Sequence, residues 1–174
     1  RDPITMNKSL LSMFISSLVA TPLSTSANPT GGQIIAGTAT INQGEITTTI
    51  NQTTAKAILE WDSFGINTGE SVQFIQPSSS SIALNRVIGT SASNIFGNLS
   101  ANGQVFIVNP RGVFFGSNSR VDVAGLVATT LDINNDNFLN TNSFQFTRSN
   151  PNNVFQQVVN QGEIVTTDGG HVVL

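Results

Sequence analysis

From Gln33 onward, apolar residues fall in short runs separated by Gly, Asn and Ser. The clearest runs are Ile46–Ile50, Val72–Ile75, Ile82–Leu84, Val105–Val108, Val113–Phe115 and Gly125–Leu131. β-Branched residues and Phe fill them, and Gly or Asn bounds most of them, which is the pattern of short strands between turns. Between Thr53 and Phe64 the apolar positions fit neither a helical nor a strand period cleanly, and Trp61 with its β-rich flanks favours a strand. No long segment sustains a 3.6-residue period with caps, so the pattern predicts an all-β chain.

One stretch recurs. Ile41-Asn42-Gln43-Gly44-Glu45-Ile46-Thr47 returns as Val159-Asn160-Gln161-Gly162-Glu163-Ile164-Val165. An Asn-Gln-Gly turn leading into a new apolar strand suits the corner of a β-solenoid, with Gly44 and Gly162 expected at positive φ. Runs beginning at Val72, Val87, Val105 and Val121 follow one another at 15 to 18 residues, loosely compatible with rungs of roughly 20–25 residues. A sandwich would give similar turn signals at about 8–12 residues. Abundant Asn, Ser and Thr favours the solenoid, because stacked rungs place like residues above one another, where amides bond along the stack. Open stack ends invite edge pairing, so a terminal cap is expected. The polar stretch 134–153 reads as an excursion from the solenoid.

Composition narrows the function. Of 174 residues, 10% are charged and 39% apolar, while 68 are Asn, Gln, Ser or Thr. A length of 174 residues suits one domain with its own core. The net charge of −3 lacks the basic footprint of nucleic-acid binding. With no Cys and one His, disulfides, thiolate zinc sites and Cys nucleophiles are ruled out, and a Ser-His-Asp device would have to use His171. The balance leans away from an enzyme, and no catalytic residue, metal or cofactor is assigned.

The start of the chain reads as processing signals. Met6 and Lys8 precede an apolar run, Leu10 to Ala20, and small residues ending Thr25-Ser26-Ala27. This is a secretory signal for the Sec machinery over 6–27; its 11-residue apolar run is shorter than the ~20 residues that span a bilayer. Arg1 to Thr5 reads as a vector-derived scar. The expected mature domain is 28–174, with nine acidic and five basic residues.

The candidate chemistry is sparse. His171 lies in Gly169-Gly170-His171-Val172 with no acid at a recognisable spacing, and reads as an exposed strand residue. Asp132-Ile133-Asn134-Asn135-Asp136 matches the first half of a calcium loop, but Asn137 stands where Gly is needed and Ser143 where a bidentate Glu is needed. Glu60 and Asp62 flank Trp61 and share a strand face; a glycosidase would need two acids held across a groove. Asn109-Pro110-Arg111-Gly112 ends one β-run before another begins at Val113. Pro sets φ at the second turn position and Asn before it can bond back to the turn backbone, which makes a rigid turn.

That turn also carries a family resemblance. Ser100-Ala101-Asn102-Gly103-Gln104-Val105-Phe106-Ile107-Val108-Asn109-Pro110-Arg111-Gly112-Val113-Phe114-Phe115-Gly116 resembles the signature of the filamentous haemagglutinin N-terminal domain. This is the secretion domain of two-partner-secretion exoproteins, also called the haemagglutination activity domain. Ile58 to Asn67, Ala83 to Val87, Gly125 to Ile133 and Asn160 to Ile164 resemble further blocks of that family, in the same order. The resemblance implies a right-handed parallel β-helix with an N-terminal cap and small extra-helical sheets. It implies recognition in the periplasm by the POTRA domains of an outer-membrane transporter, then seeding of passenger folding at the cell surface. Of the family's two motifs, Asn-Pro-Asn-Gly maps to Asn109, Pro110, Arg111 and Gly112, with Arg111 replacing the usual Asn. Asn-Pro-Asn-Leu is absent as such, and Gln76-Pro77 stands in its approximate place. Asn85, Arg86 and Asn102 are supporting candidates.

The leading expectation is therefore a monomeric secretion and folding-nucleation module of a secreted or surface exoprotein. The competing class is a self-standing β-helix that binds or degrades polysaccharide; clustering of Glu60, Asp62 and Arg86 around a deep groove would favour it. The strand pattern predicts a β-type far-UV circular dichroism spectrum with little helix; a helix-dominated spectrum contradicts it.

Overall fold

The structure, a computed structural model, describes residues 28–148 and 156–174. The scar and signal segments expected over 1–27 lie outside these residues, as do 149–153 of the expected excursion. Two strands open the fold. β1 (Gln33–Ala36) runs antiparallel to β4 (Lys56–Trp61), and β2 (Ala39–Gln43) antiparallel to β3 (Thr47–Gln52). The later pairings in the three main sheets are all parallel.

After β3 in sheet I and β4 in sheet II, the chain repeats a circuit of sheets I, II and III. β5 (Ser71–Ile75), β6 (Ile82–Val87) and β7 (Ser93–Ile95) make one turn; β8 (Asn98–Ala101), β9 (Gln104–Val108) and β10 (Val113–Phe115) make the next. β11 (Arg120–Val123) and β12 (Gly125–Thr129) begin another. Its sheet III strand, β15 (Val158–Asn160), comes only after an excursion holding β13 (Asp132–Ile133), α1 (Asn135–Asn140) and β14 (Phe146–Thr147). β16 (Glu163–Thr166) and β17 (Val172–Val173) continue sheets I and II. This is a parallel β-solenoid whose N-terminal edge is closed by an antiparallel cap.

The repeat is measured by residues paired in register on sheet I. From Thr47 to Ser71, Asn98, Arg120 and Glu163 the chain advances 24, 27, 22 and 43 residues, the last step including the excursion. The 15 to 18 residue spacing in the sequence is not this repeat. Val72 and Val121 lie in sheet I, while Val87 and Val105 lie in sheet II. The sequence echo likewise joins unlike places. Its first copy is the β2–β3 hairpin and its second the β15-to-β16 corner. Neither Gly44 nor Gly162 takes positive φ. Gly162 is required for room instead, since a Cβ there would lie 2.1 Å from Ser119 Oγ.

Register stacks the interior. Val72, Leu99, Val121 and Ile164 sit above one another on sheet I. Leu59, Asn85 and Ile107 do so on sheet II. The resulting lumen is apolar, with Trp61, Phe64, Phe74 and Phe115 among its fully buried side chains. Trp61 meets Phe64 edge to face at 5.6 Å, a favoured aromatic geometry. Asn85, fully buried in this lumen, accepts from Trp61 Nε1 at 3.0 Å and donates to the carbonyls of Ala83 and Phe106.

Sheet II is apolar on its outer face too. Ile58, Leu84, Phe106 and Val127 stack there in register. The excursion covers them with Ile133, Phe138, Phe144 and Phe146, forming a second core. Phe106 packs against three excursion rings at 5.2 to 6.2 Å. A parallel sheet buried on both faces reads as continuous apolar runs rather than alternation, which is why Ile82–Leu84 and Val105–Val108 show no period of two. The excursion also holds a short helix, α1, which the polar pattern of 134–153 does not predict. Asn134 caps it, its Oδ1 accepting from the amides of Asp136 and Asn137, a favoured N-cap arrangement.

Removing the Asn85 side chain strands a buried indole N–H. Asn85→Ala is expected to destabilise by about 1–3 kcal/mol in chemical denaturation. A double-mutant cycle with Trp61→Phe should show coupling of about 1 kcal/mol; strict additivity would contradict the assigned bond.

Candidate functional site

The candidate site is the turn that carries the chain from sheet II to sheet III. β9 ends at Val108, and Asn109 to Gly112 reverse direction into β10. Gly112 N donates to Asn109 O at 3.0 Å, closing the turn. Asn109 is fully buried and its side chain is wholly committed. Its Oδ1 accepts from Arg111 N at 2.8 Å, while Nδ2 donates to Ser91 O at 3.1 Å and Ser93 Oγ at 2.9 Å. Ser93 begins β7 on the preceding turn of the solenoid, so Asn109 ties consecutive turns together at their corner. Gly112 has φ +106° and a Cβ there would lie 3.0 Å from Gln157 O, so both conformation and space call for glycine.

Pro110 and Arg111 are what the turn presents outward. Pro110 is half-buried and Arg111 exposed. Together with Arg86, Ile88, Val108 and Asp132 they line a shallow cleft. Ile88 is 57% exposed, so the cleft has an apolar side beside the Arg111 cation.

The other sequence candidates divide among three places. Arg86 stands on the outer face of sheet II beside the turn. Its Nη1 bonds Glu60 Oε1 at 3.2 Å, its Nε bonds Asp132 Oδ1 at 2.8 Å, and Nη2 bonds Ile133 O and Asn135 Oδ1 at 2.6 and 2.9 Å. Arg86 thus pins the excursion to the sheet. Asn85 lies in the lumen. Gln76 and Asn102 sit at the opposite ends of the sheet II strands, where sheet I turns into sheet II. Gln76 N donates to Asn102 Oδ1, and Asn102 Nδ2 to Gln76 O, both at 2.7 Å. Gln76 Nε2 also donates to Gln52 Oε1 at 3.2 Å, so Gln52, Gln76 and Asn102 form a polar ladder along that corner. Pro77 is exposed beside it.

The acidic candidates meet other partners. Asp132 bonds Arg86 and its own neighbour's amide, and Asn134 caps α1, so the calcium-loop spacing is spent on structure. Glu60 joins Arg86, while Asp62 is exposed beside Gly31 in the cap. These groups do not converge on a deep groove. Among the described residues, no group of three or more His, Cys, Asp or Glu could hold a metal ion. His171 is an exposed residue whose ring lies over Gly125, and its carbonyl accepts from Leu126 N.

Lys56 was not singled out by any sequence signal. Its Nζ donates to the carbonyls of Phe138, Leu139 and Thr141 at 2.8, 3.3 and 2.6 Å, at the C-terminal end of α1. It also lies 5.7 and 5.2 Å from the Phe138 and Phe144 ring centroids. Desolvation by burial lowers its pKa below the ordinary lysine value, and the carbonyls and ring faces offset that cost. Its sequence neighbours, Thr54-Ala55 and Ala57-Ile58, say nothing of a helix some eighty residues away.

Comparison with known proteins gives the site its context. A family model described as TPS secretion domain matches residues 20–174. Two heme/hemopexin-binding proteins of Haemophilus influenzae are similar. One is 44% identical over 114 residues, covering 66% of this chain and 12% of that protein. The other, from strain Rd, is 38% identical over 139 residues, covering 79% and 15%. The chain therefore spans less than a sixth of the length of these curated relatives. Among solved structures, the HMW1 secretion domain from Haemophilus influenzae superposes with a TM-score of 0.72 at 34% identity, covering 79% of this chain and 36% of that one. A matching family model, a shared β-solenoid and curated relatives agree: the chain belongs to the TPS secretion domains, the secretion modules of exoproteins in two-partner secretion.

Proposed function

We propose that this domain is the part of a large exoprotein, of the adhesin and haemagglutinin type, that the POTRA domains of a dedicated outer-membrane transporter recognise in the periplasm. The domain then seeds folding of the rest of the protein outside the cell. The segment 6–27 delivers the chain to the Sec machinery, and the exported protein is released or held at the cell surface. The names of the two relatives also place a heme- or hemopexin-directed parent among such exoproteins.

The observation that carries this reading is the capped start of the stack. An antiparallel cap, β1 on β4 and β2 on β3, occupies one edge of sheets I and II, and every later strand of those sheets adds in parallel from it. Each turn of a solenoid contacts mainly its neighbours, so folding propagates from a formed end. The closed cap supplies such an end. Recognition by strand addition would draw on backbone bonds for affinity and side chains for selectivity.

The Asn109–Gly112 turn separates two roles. Asn109 and Gly112 build the turn, and Arg111 is the side chain it displays. Asn109→Ala is expected to cost about 1–3 kcal/mol, because it leaves buried donors and acceptors without partners. Arg111→Ala should change stability by no more than about 0.5 kcal/mol, yet weaken binding to the purified periplasmic POTRA region of the cognate transporter. Titration by calorimetry, beside thermal melts of each variant, checks this. Failure of the unmutated domain to bind at all would contradict the proposed recognition.

A further inference from the structure

The excursion 131–148 belongs to a late turn of the solenoid but is held by residues from the early ones. Lys56 comes from β4 in the first turn and grips three carbonyls around the end of α1. Arg86 comes from β6 in the second turn and grips Asp132, Ile133 and Asn135. Phe106 comes from β9 in the third turn and meets Phe138, Phe144 and Phe146. Val127 adds β12 to the same apolar column. The excursion's seat is therefore assembled only when β4, β6, β9 and β12 lie side by side in register.

This breaks the rule that a solenoid turn senses only its neighbours. Residues some eighty positions apart, Lys56 and Phe138, are joined directly, skipping two intervening strands. Apart from its covalent attachment to β12, little holds the segment before that seat exists. α1 is six residues long, too short to persist alone, and β13 and β14 pair over two residues each, too few for independent stability.

We propose that the excursion is a completion latch. It closes after β4, β6, β9 and β12 have stacked, and it converts a chain of nearest-neighbour contacts into one cooperative unit. Its seals are the two cationic grips at either end of α1 and the ring cluster between them. Closing after the folding barrier, the latch slows unfolding without speeding folding. In the export reading above, on which this consequence rests, it prevents the emerged domain from unravelling backwards. The latch itself stands or falls on folding kinetics, independently of any transporter.

Trp61 is the sole tryptophan and lies in the lumen away from the ring cluster, so its fluorescence reports stacking of the solenoid. Stopped-flow folding and unfolding in denaturant would compare the unmutated chain with Phe138→Ala, Lys56→Met and the lumen variant Ile107→Val. For Phe138→Ala the unfolding rate should rise by about 30-fold or more, and for Lys56→Met about fivefold, with refolding rates changed less than about twofold. Ile107→Val should slow refolding instead. Amide exchange across 131–148 should quicken in both latch variants while β9 and β12 stay protected. Slowed refolding of the latch variants, by a factor comparable to their gain in unfolding rate, would overturn the proposal. Unchanged unfolding rates in Lys56→Met and Phe138→Ala would overturn it equally.

Discussion

Sheet II must be covered on both faces. Its inner column, Leu59, Asn85 and Ile107, closes the lumen, and its outer column, Ile58, Leu84, Phe106 and Val127, is just as apolar. A bare solenoid would leave that outer column in water, at roughly 1.5–3 kcal/mol for each large side chain. Much of the molecule follows from this demand. The late turn is interrupted by a segment long enough to cross the column. The few charged residues on the sheet, Lys56, Glu60 and Arg86, border the column and hold its cover. Sheet I carries less of this burden: outer positions such as Thr49, Gln73 and Ser100 are polar, and Ile75 stands exposed among them.

Strands β3, β5, β6, β9, β10 and β12 were legible because each carries β-branched, aromatic or other apolar side chains between turn residues, whereas the polar β7 and β8 leave no apolar run. Ile82–Leu84 and Val105–Val108 were found as runs even though their double burial removed any alternation. The cap and solenoid could be expected from polar composition and open edges, and from the family resemblance around Asn109. What escaped was of two kinds. α1 escaped because a six-residue helix leaves no periodic trace, although Asn134 is a good N-cap in retrospect. Lys56 and the Phe106 cluster escaped because their partners are far along the chain, and a long-range contact leaves no local spacing. The sequence echo misled for the related reason that a hairpin and a solenoid corner ask for the same turn residues.

At the site, the residue types pointed to a rigid turn, and the structure adds which residues make it and which one it displays. Asn109 bonds both to its own turn and to Ser91 and Ser93 of the preceding turn. Gly112 supplies a backbone conformation other residues resist. Arg111 contributes only its backbone amide to that frame, and its side chain is exposed. Gln76 and Asn102 play a comparable structural part at the other corner, within a Gln and Asn ladder. The two candidate motifs therefore lie at opposite ends of the sheet II strands, and both fasten one solenoid turn to the next.

The central claim is that this capped stack exists to carry a larger protein across an outer membrane through a dedicated partner. Its most direct measurement is export of residues 6–174 from a Gram-negative host, with and without the cognate transporter. The account predicts that the folded domain reaches the medium only when the transporter is present. Retention in the periplasm beside a folded, correctly inserted transporter would contradict it.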